Sequence, residues 1–247
     1  MPVNMMLTLL KIPLILSDII CMRITAMPPN PPLAPGQHTV FIPDWRERFL
    51  RRLAWPCVFL RAVSHTLNGL QIYLIIASHS PTGAISKYTI LHASPASAPA
   101  CSTRLAITPA FALGTWITLV GAILRVQCYR TLGRHFTFEL SLQKDHKLVT
   151  RGPYAVVRHP SYTAMMLTVV GGWMTLALRG SYVWECGVWE SAVGRAIMGL
   201  WVGVAVAVVT SLVLRVSRED EMLRRRFGLE WEEWRGAVPW KFVPCLF

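Results

Sequence analysis

From Ala196 to Leu214 the chain carries no charged side chain, and an arginine stands at each end of the run, Arg195 and Arg215. A helix needs about 20 apolar residues to cross the hydrocarbon core of a bilayer, so this segment reads as a membrane-embedded helix. Composition agrees. Hydrophobic residues make up 53% of the 247 and charged residues 15%, where soluble domains carry roughly 25%. A disordered chain is excluded and a soluble globule disfavoured. Leu105–Val126, with Pro109 near its start and Arg125 at its end, and the short uncharged Tyr162–Leu178 are further spans. Met5–Met22 is apolar but interrupted by Lys11, Pro13 and Asp18; it reads as a span, or as a signal peptide lacking a basic leading region. Leu53–Ala77 contains Arg61, His65, Asn68 and Gln71, which must face other helices or a polar cavity. The expected fold is an all-α integral membrane bundle of about five transmembrane helices.

Lys and Arg number 25 against 13 Asp and Glu. Basic excess can mark nucleic-acid binding, but here the charge flanks apolar runs, which points to a membrane surface and no nucleic acid. Outside the spans, basic residues number 5, 2, 6, 2 and 7 in the segments 23–52, 78–104, 127–161, 179–195 and 215–247. That alternation suits five spans, and the positive-inside rule places the 127–161 loop and the C-terminus in the cytosol. Pro28–Pro32 reads as a stiff linker and His92–Thr103 as an exposed loop. Residues 1–104 therefore read as N-terminal spans with a Pro-rich linker, and 105–247 as a core unit. The six cysteines form no CxxC pair, which argues against a zinc ribbon or a dense disulfide framework. Gly199 and Gly203 permit close helix packing, within the bundle or between copies.

Polar information concentrates in two cytosolic segments. In the first, Arg158 and His159 precede Pro160, which suits the first turn of a helix; backbone donors there, with Arg158, would hold an anion. The same residues also read as an interfacial basic cluster anchored by Tyr154 and Tyr162. In the second, Arg215 and Glu219 are spaced to share a helix face, either as a solvated salt-bridge face or as part of a site. Leu223, Phe227, Trp231 and Trp234 follow at helical spacing and predict an amphipathic interfacial helix at the C-terminus. No glycine-rich phosphate loop, Rossmann fingerprint or metal-binding His pattern is present in the sequence, so no metal is expected.

Taken together, Leu132-Gly133-Arg134-His135-Phe136, His146-Lys147-Leu148-Val149-Thr150-Arg151-Gly152-Pro153-Tyr154, Arg158-His159-Pro160-Ser161-Tyr162, Arg215 with Glu219-Asp220, and Phe227-Gly228 resemble the isoprenylcysteine carboxyl methyltransferase family over roughly residues 105–247. The resemblance implies S-adenosylmethionine-dependent methylation of the C-terminal carboxylate of prenylated cysteine, a step of CaaX processing in the endoplasmic reticulum membrane. Its partners would be prenylated proteins and membrane lipid. By position it implies that Glu139, His146, Lys147, Leu148, Val149, Tyr154, His159, Pro160, Ser161, Tyr162 and Glu219 line the cofactor, and that Arg215 faces the substrate carboxylate. Arg215 and Arg158 are the candidate catalytic groups. Asp220 stands where the family usually has a second Glu, Ala164 where Gly is common, and Trp231 and Trp234 where tyrosines are usual.

Two other functions are open. A phospholipid N-methyltransferase would share the cofactor but methylate an amine, which an arginine facing the acceptor would disfavour. A non-enzymatic membrane scaffold would have no reason to keep Arg158, His159, Tyr162, Arg215 and Glu219 together.

Overall fold

A computed structural model describes residues 8–30, 38–40, 54–79, 101, 104–137, 141–143 and 145–245. Its helices are α1 (Lys11–Ala26), α2 (Ala54–His79), α3 (Pro109–Leu132), α4 (Pro160–Ala177), the short α5 (Tyr182–Glu185), α6 (Ala192–Phe227) and α7 (Leu229–Ala237). Three stretches, Pro109–His135, Pro160–Glu185 and Ala192–Phe227, are long and apolar enough to cross a membrane. Among the described residues one feature departs from the all-α expectation. The strands β1 (His38–Val40) and β2 (Ser141–Gln143) pair antiparallel, with Thr39 opposite Leu142.

The helix boundaries follow local chemistry. Thr108 caps α3 by accepting from the Phe111 amide at 3.2 Å, with Pro109 in the first turn. Ser191 caps α6 by accepting from Gly194 at 2.9 Å. The centre of the bundle is the α3–α4 pair, brought close by small residues, because lipid supplies no hydrophobic drive between helices. A Cβ on Gly121 would lie 2.9 Å from the Ala164 carbonyl, and one on Gly171 would lie 2.6 Å from that of Gly114.

Of the polar residues that interrupted two apolar runs, Lys11, Asp18, Asn68 and Gln71 are buried against other elements, while Arg61 and His65 are half-buried. Lys11, on α1, donates to the carbonyls of Gly180 (2.5 Å) and Ala106 (3.1 Å) and lies over the Phe111 ring. Thr115 donates to Asp18 at 3.4 Å. On α2, Asn68 and Gln71 are buried, and the Gln71 side chain accepts from the Tyr182 amide at 3.1 Å.

These contacts gather the start of α1, the end of α2, the start of α3 and α5 at one end of the bundle. A disulfide joins Cys101 to Cys186 at that same end, while Cys21, Cys57, Cys128 and Cys245 are free. The sequence pattern did not signal this bond, since its partners lie far apart in the chain. After denaturation, maleimide mass tags should add to four cysteines without reductant and to all six with it. Six tags without reductant would remove the bond.

α6 contains 36 residues, about 54 Å at 1.5 Å per residue, against roughly 30 Å of hydrocarbon. Its last turns, from Arg215 onward, therefore extend past its apolar run at the end of the bundle opposite the disulfide. Gly228, at φ 55°, breaks the helix, and α7 folds back. Trp231 and Trp234 are only 3% and 6% exposed and pack with Cys128 and Tyr154. The expected interfacial stripe is thus spent on protein packing, because the glycine turn aims it at α3 rather than at lipid.

Candidate active site

α4 begins at Pro160, as its sequence position predicts. His159 precedes it with φ −124° and ψ 55°, and its side chain caps nothing, so the imidazole is available for other contacts. The C-terminal segment straps this entry point in place. The amides of Arg158 and His159 donate to the carbonyls of Trp240 and Lys241, each at 2.9 Å, and the Thr163 hydroxyl donates to Phe242 at 2.8 Å.

The extension of α6 brings two adjacent carboxylates to this entry. Neighbouring residues on a helix point to different sides, and the two take different roles. Asp220 faces inward: its Oδ1 lies 2.9 Å from His159 Nε2 and its Oδ2 lies 3.4 Å from the Arg158 guanidinium. All three are buried. Glu219, with its side chain 29% exposed, accepts from the Tyr162 hydroxyl at 2.5 Å and lies 3.8 Å from His159 Nδ1. The His159 and Tyr162 rings stack with centroids 5.6 Å apart. Asp220 on Nε2 therefore leaves Nδ1 turned toward Glu219.

An open cleft of about 480 Å³ is lined by residues 130–133, 135 and 147–151. His146 packs its ring 4.8 Å from that of His135, which lines the cleft, and 6.1 Å from Phe227. Nδ1 of both His135 and His146 is buried without a hydrogen-bond partner. Burial, helped by the neighbouring His135 and Arg226 and opposed by Glu219, lowers the His146 pKa to about 4. The ring is neutral at physiological pH. Burial also pushes the Tyr154 phenol well above its usual range, so it remains protonated.

A pH effect follows from His146. Between pH 6.5 and about 4 the unfolded chain protonates this residue and the folded chain does not. Stability should fall as pH drops through that window and show no contribution from His146 above it. Thermal melts across the window should fall less steeply for His146→Gln than for the unsubstituted chain; parallel curves would contradict the assignment.

The structure brings His146, Tyr154, His159, Tyr162, Arg215 and Glu219 into one neighbourhood, with Arg215 within electrostatic reach of Tyr162. Lys147, Leu148 and Val149 line the cleft. Pro160 and Ser161 are buried, and Ser161 is held by Arg125. The Arg158 guanidinium is committed to Asp220, which suits a supporting role better than contact with a substrate. Glu139 lies outside the described residues. Sequence reading passed over Asp220 as a partner of Arg158 and His159, and over Arg125, because both roles depend on contacts across the fold.

Residues 112–189, from α3 through α5, match the model of the isoprenylcysteine carboxyl methyltransferase (ICMT) family. This is the family the sequence resembles. Protein-S-isoprenylcysteine O-methyltransferase B of Arabidopsis thaliana is 29% identical over 128 residues, covering 51% of this chain and 55% of that protein. Protein-S-isoprenylcysteine O-methyltransferase A of the same plant is 28% identical over 127 residues, 51% of this chain and 55% of its own length. A probable protein-S-isoprenylcysteine O-methyltransferase of Oryza sativa subsp. indica is 27% identical over 128 residues, with 51% and 57% covered. The chain thus spans about half the length of the curated relatives it matches. The family match contains the His146–Tyr154 and His159–Tyr162 blocks and ends before Arg215 and Glu219.

Proposed function

We propose that this chain methylates the C-terminal carboxylate of prenylated cysteine in proteins, with S-adenosylmethionine as donor, in the endoplasmic reticulum membrane. The observation that carries this reading is the part-exposed Glu219 carboxylate, held by the Tyr162 hydroxyl and facing His159, with Arg215 one turn earlier on the same helix. Glu219 offers an anion to the cofactor's ammonium, neutral His146 adds no cation there, and Arg130, Lys147 and Arg151 of the cleft are left for the cofactor's carboxylate. His146 also brings a buried Nδ1 in need of a partner. His146, Lys147, Leu148, Val149 and Tyr154 would line one side and His159 and Tyr162 the other, with Pro160 and Ser161 shaping the backbone behind them and Glu139 a further contact.

The bound cofactor supplies an already electrophilic methyl group, so the protein need provide neither nucleophile nor metal. Its task is to place the acceptor carboxylate in line and partly strip it of water. Arg215 orients that carboxylate through its planar fork. Arg158, paired with Asp220, braces His159. The products are the methyl ester and S-adenosylhomocysteine. The prenyl chain enters from lipid, where each buried CH₂ contributes about 0.8 kcal/mol.

In this reading α1 and α2 join the three long apolar helices as spans, and the C-terminus is cytosolic. The Cys101–Cys186 bond supports that orientation, since it joins the two loops that the charge pattern places away from the cytosol and disulfides persist in oxidising compartments.

The test supplies labelled cofactor with a farnesylcysteine analogue or with phosphatidylethanolamine. Label on the analogue that mild base releases is the expected result. Base-stable label in the lipid would favour an N-methyltransferase, and no transfer to either would favour a scaffold. Glu219→Ala should weaken cofactor binding roughly tenfold to a hundredfold, the value of a charge-assisted hydrogen bond; an unchanged dissociation constant would remove Glu219 from the site.

A further inference from the structure

α1 lies outside the family match, yet it reaches the proposed site through two side chains of α3. Arg125 is 3% exposed. Its Nη1 donates to the Ser161 carbonyl at 2.9 Å and to the Ser161 hydroxyl. Ser161 sits in the first turn of α4, between His159 and Tyr162. The Nε of Arg125 donates to the Tyr129 hydroxyl at 2.9 Å. That hydroxyl keeps one proton to give, and three carbonyls from the end of α1 converge on it: Ile24 at 3.0 Å, Met27 at 3.2 Å and Thr25 at 3.3 Å. Carbonyls of a helix's last turn lack partners within the helix, so Tyr129 satisfies a need that α1 creates. The guanidinium also lies 5.2 Å and 5.1 Å from the ring centres of Tyr129 and Phe136. Two further contacts hold the same end of α1. Asn30 donates to the Gly133 and Phe136 carbonyls at 2.9 and 3.0 Å, and the Thr25 and Thr168 hydroxyls meet at 3.3 Å.

We infer that Arg125 and Tyr129 are positioning residues that tie the end of α1 to the first turn of α4 and thereby set His159 and Tyr162 against Glu219. The inference rests on the proposed function only for what the site binds. A guanidinium serves this relay because its fixed fork reaches Ser161 with one nitrogen and Tyr129 with another, while a lysine has a single nitrogen to place.

The test uses the full chain in lipid nanodiscs. Tyr129→Phe keeps the ring beside Arg125 and removes only the hydroxyl. It should raise the dissociation constant for S-adenosylmethionine roughly threefold to tenfold, the value of a lost hydrogen bond, with little change in KM for a farnesylcysteine analogue. Amide hydrogen exchange should quicken at 24–27 and at 159–163 and stay unchanged at 196–203. Arg125→Lys should do the same, and the double variant should be no worse than Arg125→Lys alone, because one relay is broken once. Unchanged exchange at 159–163 in Tyr129→Phe, or effects that simply add, would overturn the relay. Should the unsubstituted chain bind no S-adenosylmethionine, the proposed function falls, and the exchange measurement still decides the relay.

Discussion

Asp220→Ala is expected to cost about 3–5 kcal/mol of stability, the usual consequence of removing one partner from a buried charge pair. Arg158 and His159 both lean on this carboxylate, and both are buried. Without it the Arg158 guanidinium keeps its charge with no counter-ion, and His159 loses the partner that fixes its ring. In detergent the melting temperature should fall by about 10 °C. Asp220→Asn keeps the shape but offers a single acceptor oxygen and no charge, so its loss should be intermediate. Cofactor affinity should fall in both variants, because His159 Nδ1 faces Glu219 only while Nε2 is held. A melting curve for Asp220→Ala that overlays the unsubstituted protein would show that Arg158 finds another partner.

Arg215→Lys should retain fold and charge and lose roughly ten- to a hundredfold in rate, since a forked, charge-assisted pair with a carboxylate cannot be copied by an ammonium. Arg215 ends the apolar run of α6 and stands one turn before Glu219. The cofactor dissociation constant should change little, because Glu219 and its contacts with Tyr162 and His159 remain. Single-turnover methylation of a farnesylcysteine analogue, with cofactor binding measured separately, distinguishes the two effects. An amine acceptor predicts the opposite sensitivity, because a neighbouring cation opposes positive charge developing on nitrogen. Full activity in Arg215→Lys would detach Arg215 from the acceptor.

The sequence by itself determined the kind of molecule this is. An uncharged run from Ala196 to Leu214, flanked by arginines, has few stable environments other than a bilayer, and Pro160 after His159 marks where α4 begins. Those are local properties, legible wherever a single segment carries the whole signal. The spacing of Arg215 and Glu219 on one helix face was legible for the same reason. The roles of the two neighbouring carboxylates were not. Glu219 and Asp220 differ by one methylene in sequence, but α6 turns Asp220 onto Arg158 and His159 and leaves Glu219 part-exposed against the Tyr162 hydroxyl.

Tertiary structure also decided where the apparent blemishes in the apolar runs go. Lys11 finds carbonyls at Ala106 and Gly180, and Gln71 finds the Tyr182 amide, partners that no window along the chain contains. The Trp231 and Trp234 stripe shows the limit most directly. Periodicity establishes that both residues share a face, and only the turn at Gly228 settles that the face meets Cys128 and Tyr154 instead of lipid. Sequence periodicity encodes which residues must leave water; the path of the chain selects what they leave it for.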